Sequence, residues 1–150
     1  MNIPIQYKHL PKVKGEREEI ILVTNYKEKI AGTTLEIPIM EIGGKPHGFV
    51  SDGGTIPSFL WWILKMTPFG RFLRCFLRHD YRLAFRYLLN TDFTECNKQL
   101  AEEMKALGAS ERQCKWVYRG VQYAGRILWF KGFNHANDYS YHYAEIKEDV

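Results

Sequence analysis

The spacing of hydrophobic and polar positions along this 150-residue chain changes near residue 52. Before that point, apolar residues occur in β-branched runs or at every second position, which is the pattern of half-buried strands. The expected strands lie at about 19–26, 35–39 and 47–50, with turns at 31–32 and 43–46. Pro38 favours an edge position, because proline cannot donate a backbone hydrogen bond. The first third therefore predicts small antiparallel strands and hairpins.

After residue 70, apolar residues recur every three or four positions, the spacing of an amphipathic helix. The expected helices lie at about 71–89, 92–107 and 110–128. Asp92 with Glu95, and Ser110 with Gln113, have the spacing of a capping box, and Gly108 is expected to end the second helix. The pattern predicts a single α+β domain in which strands precede a three-helix C-terminal half.

The two ends of the chain differ in composition from its middle. Residues 1–18 are polar and contain Pro4, Pro11 and Gly15, so we expect an extended arm. Residues 131–150 carry too many aromatic side chains for a free linker. We therefore place the domain at 19–130, with an arm before it and an aromatic tail after it. Both ends are expected to dock, on the domain or on a neighbouring subunit.

Composition excludes several classes of protein. Apolar residues make up 45% and charged residues 25% of the chain, which argues against intrinsic disorder. The net charge of +4 permits an anionic partner without requiring one. Cys75, Cys96 and Cys114 are odd in number and form no CxxC pair, so a disulfide framework or a zinc ribbon is not expected. No secretory signal or transmembrane segment is visible, and we expect synthesis in the cytoplasm.

The first predicted helix places a carboxylate among hydrophobic side chains. At about 100° per residue, Asp80 lies on the face that carries Phe76 and Ala84, and His79 lies at its edge. A buried carboxylate costs several kcal/mol unless it is paired or bound to a metal. The glycine-rich turn that begins at Asp52 is the expected source of compensation.

Two interpretations of these residues stay open. In the structural one, Asp80 accepts backbone N–H groups from the glycine-rich turn and His79 supports it. In the functional one, Asp52, His79 and Asp80 bind a divalent cation, calcium or zinc, or activate a water molecule.

A row of arginines at steps of three and four follows the opposite face of the same helix. Its members are Arg71, Arg74, Arg78, Arg82 and Arg86. Guanidinium groups suit the phosphates of nucleic acid or of lipid head groups, and they suit an acidic subunit surface equally well. The alternative is a solvated face that is partly paired with acids such as Glu102 and Glu103.

Several short segments together resemble a known family. They are GFVSDGGTIP at 48–57, HDY at 79–81 and DF at 92–93, with Tyr118, Val121, Gly125 and Trp129 on the last helix. Over about 45–130 this combination is similar to the phage and prophage proteins of domain-of-unknown-function family 1353. Ser51, Thr55 and Leu83 depart from that family's usual Thr, Ser and Tyr. The resemblance implies a bacteriophage context and no particular reaction.

The His-Asp pair also resembles the helix of secreted and viral phospholipases A2. Carried over by position, this resemblance implies that His79 is a general base, Asp80 a calcium ligand and Asp92 the residue that orients His79. The calcium loop of those enzymes is not matched at 52–55. Leu83 stands where they carry a tyrosine.

Two functions follow. The first is a virion component of the tail, neck or baseplate, made in the host cytoplasm, whose partners are other phage structural proteins or copies of itself. The alternative is a small metal-dependent hydrolase acting on lipid, cell wall or a phosphoester. Its candidate catalytic residues are Asp52, Thr55, His79, Asp80 and Asp92. The sequence favours the virion component, because the departures at positions 55 and 83 weaken the argument for chemistry.

Overall fold

A computed structural model of the chain describes residues 5–9, 20–51, 72–127 and 136–147. Within these ranges the strands are β1 Tyr7–His9, β2 Ile20–Leu22, β3 Tyr26–Ile30, β4 Thr33–Ile37, β5 Met40–Ile42, β6 Lys45–Ser51 and β7 Tyr143–Glu145. The helices are α1 Leu73–Ala84, α2 Phe93–Ala106, α3 Glu111–Ile127 and the short α4 Tyr139–His142. Antiparallel strands thus precede three long helices, which confirms the predicted α+β fold.

The main sheet is organised around β6. Its strands run in the order β1-β2-β6-β5, with β7 also paired to β6, and all of these pairs are antiparallel. Gly48 lies where β6 passes closest to β2, because a Cβ atom at this position would lie 1.8 Å from the carbonyl oxygen of Leu22. The position therefore admits only glycine without a shift of one strand.

A separate two-stranded hairpin is formed by β3 and β4, in register from Tyr26 opposite Ile37 to Ile30 opposite Thr33. Its turn is the predicted one, and Ala31 and Gly32 both have positive φ, at 52° and 81°. That geometry is the two-residue turn whose twist matches the two strands. The single strand expected at 19–26 is instead divided between β2 and β3.

Helices α2 and α3 begin at the predicted caps, whereas α1 ends earlier than predicted. The backbone N–H of Glu95 donates to Asp92 Oδ1 at 2.8 Å. Ser110 and Gln113 bond reciprocally at 3.0 and 3.1 Å. The first helix ends at Ala84 rather than near 89, because residues 85–90 form turns. Tyr87 and Leu88, which the period-3.6 pattern would place on the hydrophobic face of a helix continuing to 89, are 65% and 59% exposed.

Helix α1 lies between two hydrophobic clusters. One cluster joins it to α2 and α3, and includes Phe76, Leu100, Met104, Val117 and Val121. The other joins it to the strands and to the tail, and includes Leu22, Ile37, Phe49, Leu77, Tyr81, Phe85 and Tyr143. The three cysteines are buried and unpaired. Almost all of α1 is therefore interior, on both of its faces.

Segments from both ends of the chain join this core. Strand β1 pairs with β2, and β7 pairs with β6. The tail is also held by Asn137, whose backbone N–H donates to Ala84 O at 2.7 Å, and by the Tyr143 hydroxyl, which donates to Pro38 O at 2.8 Å. Among the described helices, none is both long enough and apolar enough to span a bilayer.

Candidate functional site

His79 is held in one orientation by a chain of side-chain amides. The imidazole is fully buried on α1, and its Nε2 lies 2.7 Å from Oδ1 of Asn97 on α2. The Asn97 amide donates in turn to Oε1 of Gln122 on α3 at 2.6 Å. Because the side-chain nitrogen of Asn97 donates to Gln122, the atom of Asn97 that faces His79 is its oxygen, which can only accept a hydrogen bond. The proton of the neutral ring therefore lies on Nε2, and Nδ1 carries a lone pair.

That second ring nitrogen is the unusual feature of the site. Nδ1 is buried and has no hydrogen-bond partner among the described residues. It lies 3.9 Å from Oδ1 of Asp80, which is too far for a direct bond but close enough for both atoms to contact one further group. An unsatisfied buried polar atom costs about 1–3 kcal/mol. Such a cost is more common at functional sites than in ordinary cores.

The ring is neutral at physiological pH. Burial and the nearby Arg82 guanidinium lower the pKa of His79 to about 4, although the bond to Asn97 acts in the opposite direction. The 3.9 Å contact with Asp80 is therefore not an ion pair under these conditions. A neutral imidazole with a lone pair on Nδ1 can accept a proton or bind a metal ion.

The negative charge of the Asp80 carboxylate is stabilised by a hydrogen bond from Ser51, the residue just before the glycine-rich turn. The Ser51 hydroxyl, on the last residue of β6, donates to Oδ2 of Asp80 at 2.5 Å. The Asp80 side chain is 11% exposed, whereas that of His79 is 0% exposed. The sequence placed the compensating group in the turn after Ser51; Asp52 and Thr55 lie outside the described residues. Strand β6 and helix α1 are thus joined at the carboxylate.

The structure contradicts the predicted arginine stripe. Arg78, Arg82 and Arg86 are buried, at 0%, 3% and 8% exposure, and Arg74 is mostly buried; Arg71 lies outside the described residues. One carboxylate, that of Glu103 on α2, accepts from both Arg78 and Arg82. An anion- or partner-binding surface cannot be formed by these interior side chains.

The same arginines tie the hairpin to the helices. Arg78 donates to the carbonyl oxygens of Glu28 and Thr33, at 2.6 and 2.8 Å. Arg74 forms an ion pair of 2.9 Å with the Glu28 carboxylate, which also accepts from the Tyr26 hydroxyl at 2.7 Å. The arginines of α1 do lie at helical spacing, as predicted, but their side chains form buried contacts instead of a surface.

The residue that orients His79 is Asn97 and not Asp92. Asp92 is the N-cap of α2, where it accepts the Glu95 N–H. Asn97 was missed, although it left a signal in the sequence: it lies on the apolar face of α2 beside Cys96 and Leu100, where a polar residue needs a partner. Gln122 left no comparable signal.

The predicted metal ligands come together only in part. His79 and Asp80 contribute one nitrogen and one oxygen that face each other, and Asp52 is not described. In the part of the chain that the structure describes, no three His, Cys, Asp or Glu side chains are grouped to hold a metal ion.

Fold and site define a small α+β protein in which an amide-oriented histidine lies beside a carboxylate at the junction of sheet and helices. The chain belongs to the family "Protein of unknown function (DUF1353)", whose sequence profile matches residues 36–121, more than half of its length. No curated protein and no solved structure matches it. The family recognised from the short segments is thereby confirmed.

Proposed function

We propose that this protein is a small hydrolase in which His79 is the general base. One observation carries the proposal: the buried, neutral imidazole has an Nδ1 lone pair with no hydrogen-bond partner among the described residues, and the contacts through Asn97 and Gln122 fix which nitrogen that is. A core histidine serving only stability is expected to satisfy both nitrogens. A histidine oriented through one nitrogen and open at the other is the arrangement of a general base.

The proposed step is the addition of water to an ester or phosphoester. Nδ1 of His79 takes a proton from the water as its oxygen attacks the acyl carbon or phosphorus. The imidazolium keeps its Nε2–H on Asn97 and is stabilised by the Asp80 carboxylate 3.9 Å away. The proton then passes to the leaving oxygen, so that one ester and one water give one acid and one alcohol.

A divalent cation would fit this scheme only through Asp80 among the described residues, with Asp52 as a further candidate ligand. It would polarise the ester oxygen as a Lewis acid. Because Asp80 is the more exposed member of the pair, substrate would approach Nδ1 from the Asp80 side. The substrate classes proposed are those expected from the sequence: lipid, cell wall or phosphoester.

The test compares wild type, His79→Gln and His47→Gln on three probes: a p-nitrophenyl ester, a fluorogenic phospholipid and bis-p-nitrophenyl phosphate. Each is measured with EDTA, with Ca²⁺ and with Zn²⁺. We expect wild type to hydrolyse at least one probe and His79→Gln to lose about 100-fold or more in kcat, the usual contribution of a general base. His47, a half-buried histidine on β6, provides the matched control and should leave the rate unchanged.

A third variant separates positioning from folding. Asn97→Asp keeps an acceptor for Nε2–H and adds a negative charge, so it should raise the pKa of His79 and move the acidic arm of the pH–rate profile to higher pH. Circular dichroism and melting curves establish that each variant is folded. Absence of hydrolysis in wild type with EDTA, with Ca²⁺ and with Zn²⁺ would refute the proposal for carboxylic esters, phospholipids and phosphodiesters.

The virion component is the second candidate, and a different observation favours it. The turn after α1 exposes three consecutive large apolar side chains, Tyr87, Leu88 and Leu89, at 65%, 59% and 40%. A contiguous exposed apolar group is typical of a protein–protein contact. On this proposal the protein is made in the host cytoplasm and incorporated in the particle. Mass spectrometry of purified particles tests it, and absence of the chain from them counts against it.

A further inference from the structure

The outward face of α3 carries a pattern that neither proposal uses. At about 100° per residue, five positions of this helix fall within an arc of about 100°. They are Arg112, Lys115, Trp116, Arg119 and Tyr123. All five are exposed, including Trp116 at 44% and Tyr123 at 58%. We call this set the α3 stripe.

The α3 stripe is basic and aromatic at once. Three of its five side chains are cations, none is an acid, and the two others are amphipathic rings. The Arg119 guanidinium lies 5.8 Å from the centre of the Trp116 ring, so that charge and aromatic surface are adjacent. The opposite face, with Val117 and Val121, is fully buried in the helical cluster. One face of α3 is therefore fixed in the core, and the opposite face, with the α3 stripe, is exposed to solvent.

We propose that the α3 stripe binds an anionic phospholipid surface. The charge of the stripe calls for an anionic partner, and Trp and Tyr side chains place their rings at the boundary between head groups and acyl chains. A helix with a basic, aromatic outer face, lying parallel to the surface, is a known mode of membrane attachment. A nucleic acid is the less favoured partner, because all five side chains come from one helix, whereas proteins that bind single strands use a basic groove that follows the backbone.

The stripe has a simple geometrical relation to the candidate site. Gln122, which accepts the Asn97 amide, directly precedes Tyr123 on the same helix. Attachment through the stripe would hold the amide chain to His79 close to the lipid surface. Binding does not require hydrolysis, and the two proposals can fail separately.

Vesicle co-sedimentation tests the proposal with the full chain. Wild type is compared on phosphatidylglycerol vesicles and on phosphatidylcholine vesicles, at low and at high salt. We expect binding to phosphatidylglycerol that weakens with salt, and little binding to phosphatidylcholine. The Arg112→Gln/Arg119→Gln double variant should bind roughly 30-fold more weakly, from the typical contribution of each cation near an anionic surface. The matched control is Lys27→Gln/Lys29→Gln, which removes two exposed charges from β3 and should bind as wild type does.

A second measurement reports on the ring. The difference in tryptophan fluorescence between wild type and Trp116→Phe should shift to shorter wavelength when phosphatidylglycerol vesicles are added. The proposal is overturned if wild type does not bind these vesicles, or if both double variants bind them equally well. It is also overturned if wild type binds a single-stranded oligonucleotide but not the vesicles, and the Arg112→Gln/Arg119→Gln variant loses that oligonucleotide binding. His79→Gln should bind vesicles normally, which separates this result from the loss of hydrolysis.

Discussion

The burial of His79 makes the stability of the protein depend on pH in a calculable way. The pKa of this histidine is lowered to about 4 in the folded chain, from an ordinary value of 6.5. Between these two values the unfolded chain binds a proton that the folded chain does not, so folding loses stability as the pH falls from about 6.5 to about 4. At about 1.4 kcal/mol per pKa unit, the full loss is about 3 kcal/mol. Above pH 7 this group has no effect.

The assay is urea denaturation at half-unit steps between pH 4 and pH 7.5, for wild type and for His79→Gln. Carboxylates titrate in the same range in both proteins, so the difference between the two curves isolates the histidine. The wild-type curve should fall more steeply towards acid by about 3 kcal/mol in total. His47→Gln, which changes a half-buried histidine, should keep the steep wild-type slope.

Parallel curves for wild type and His79→Gln would contradict the lowered pKa of His79. They would mean that His79 is as easily protonated in the folded chain as in the unfolded one. The ring would then be hydrated or paired with Asp80, and the neutral Nδ1 base of the proposed hydrolase would be lost with it.

Two further predictions concern the framework around the site. Glu103→Gln leaves two buried guanidinium groups without their anionic partner and should lower the free energy of unfolding by about 3–5 kcal/mol. The control Glu102→Gln, at an exposed position of α2, should change this free energy by less than about 0.5 kcal/mol. Equal effects of the two substitutions would contradict a stabilising role of the buried Glu103 carboxylate. Gly48→Ala should cost at least about 2 kcal/mol, since its Cβ would overlap the Leu22 carbonyl and separate two strands. Gly44→Ala, at φ +76° with open space around it, should cost only about 1 kcal/mol in the same urea titration.

Local signals in the sequence predicted the parts of the fold that local interactions determine. The N-cap at Asp92, the capping box of Ser110 and Gln113 and the turn at Ala31 and Gly32 formed where expected, because each depends on residues three or fewer positions apart. The short strands β1, β5 and β7 were missed, since three residues carry too little periodicity to be recognised. They form because β2 and β6 offer them a pairing edge.

The candidate site was predicted less completely, for a reason that α1 illustrates. Periodicity divides a helix into faces, but it does not show how many faces are covered. The arginine face of α1 is covered by the hairpin and by α2, so that residues expected at a surface lie in the interior. The contact between His79 and Asn97 joins two helices across 18 positions, and no pattern within either helix specifies its partner.

Arg78 couples the β3–β4 hairpin to the helices. The strands of the β3–β4 hairpin do not pair with the described strands of the main sheet, yet two carbonyl groups of the hairpin and the Glu103 carboxylate share the Arg78 guanidinium. Pulling the hairpin away would expose a charge in the centre of the helical layer, and loosening the helices would remove the hairpin's anchor. The two-stranded hairpin is therefore expected to unfold together with the helices and not independently of them.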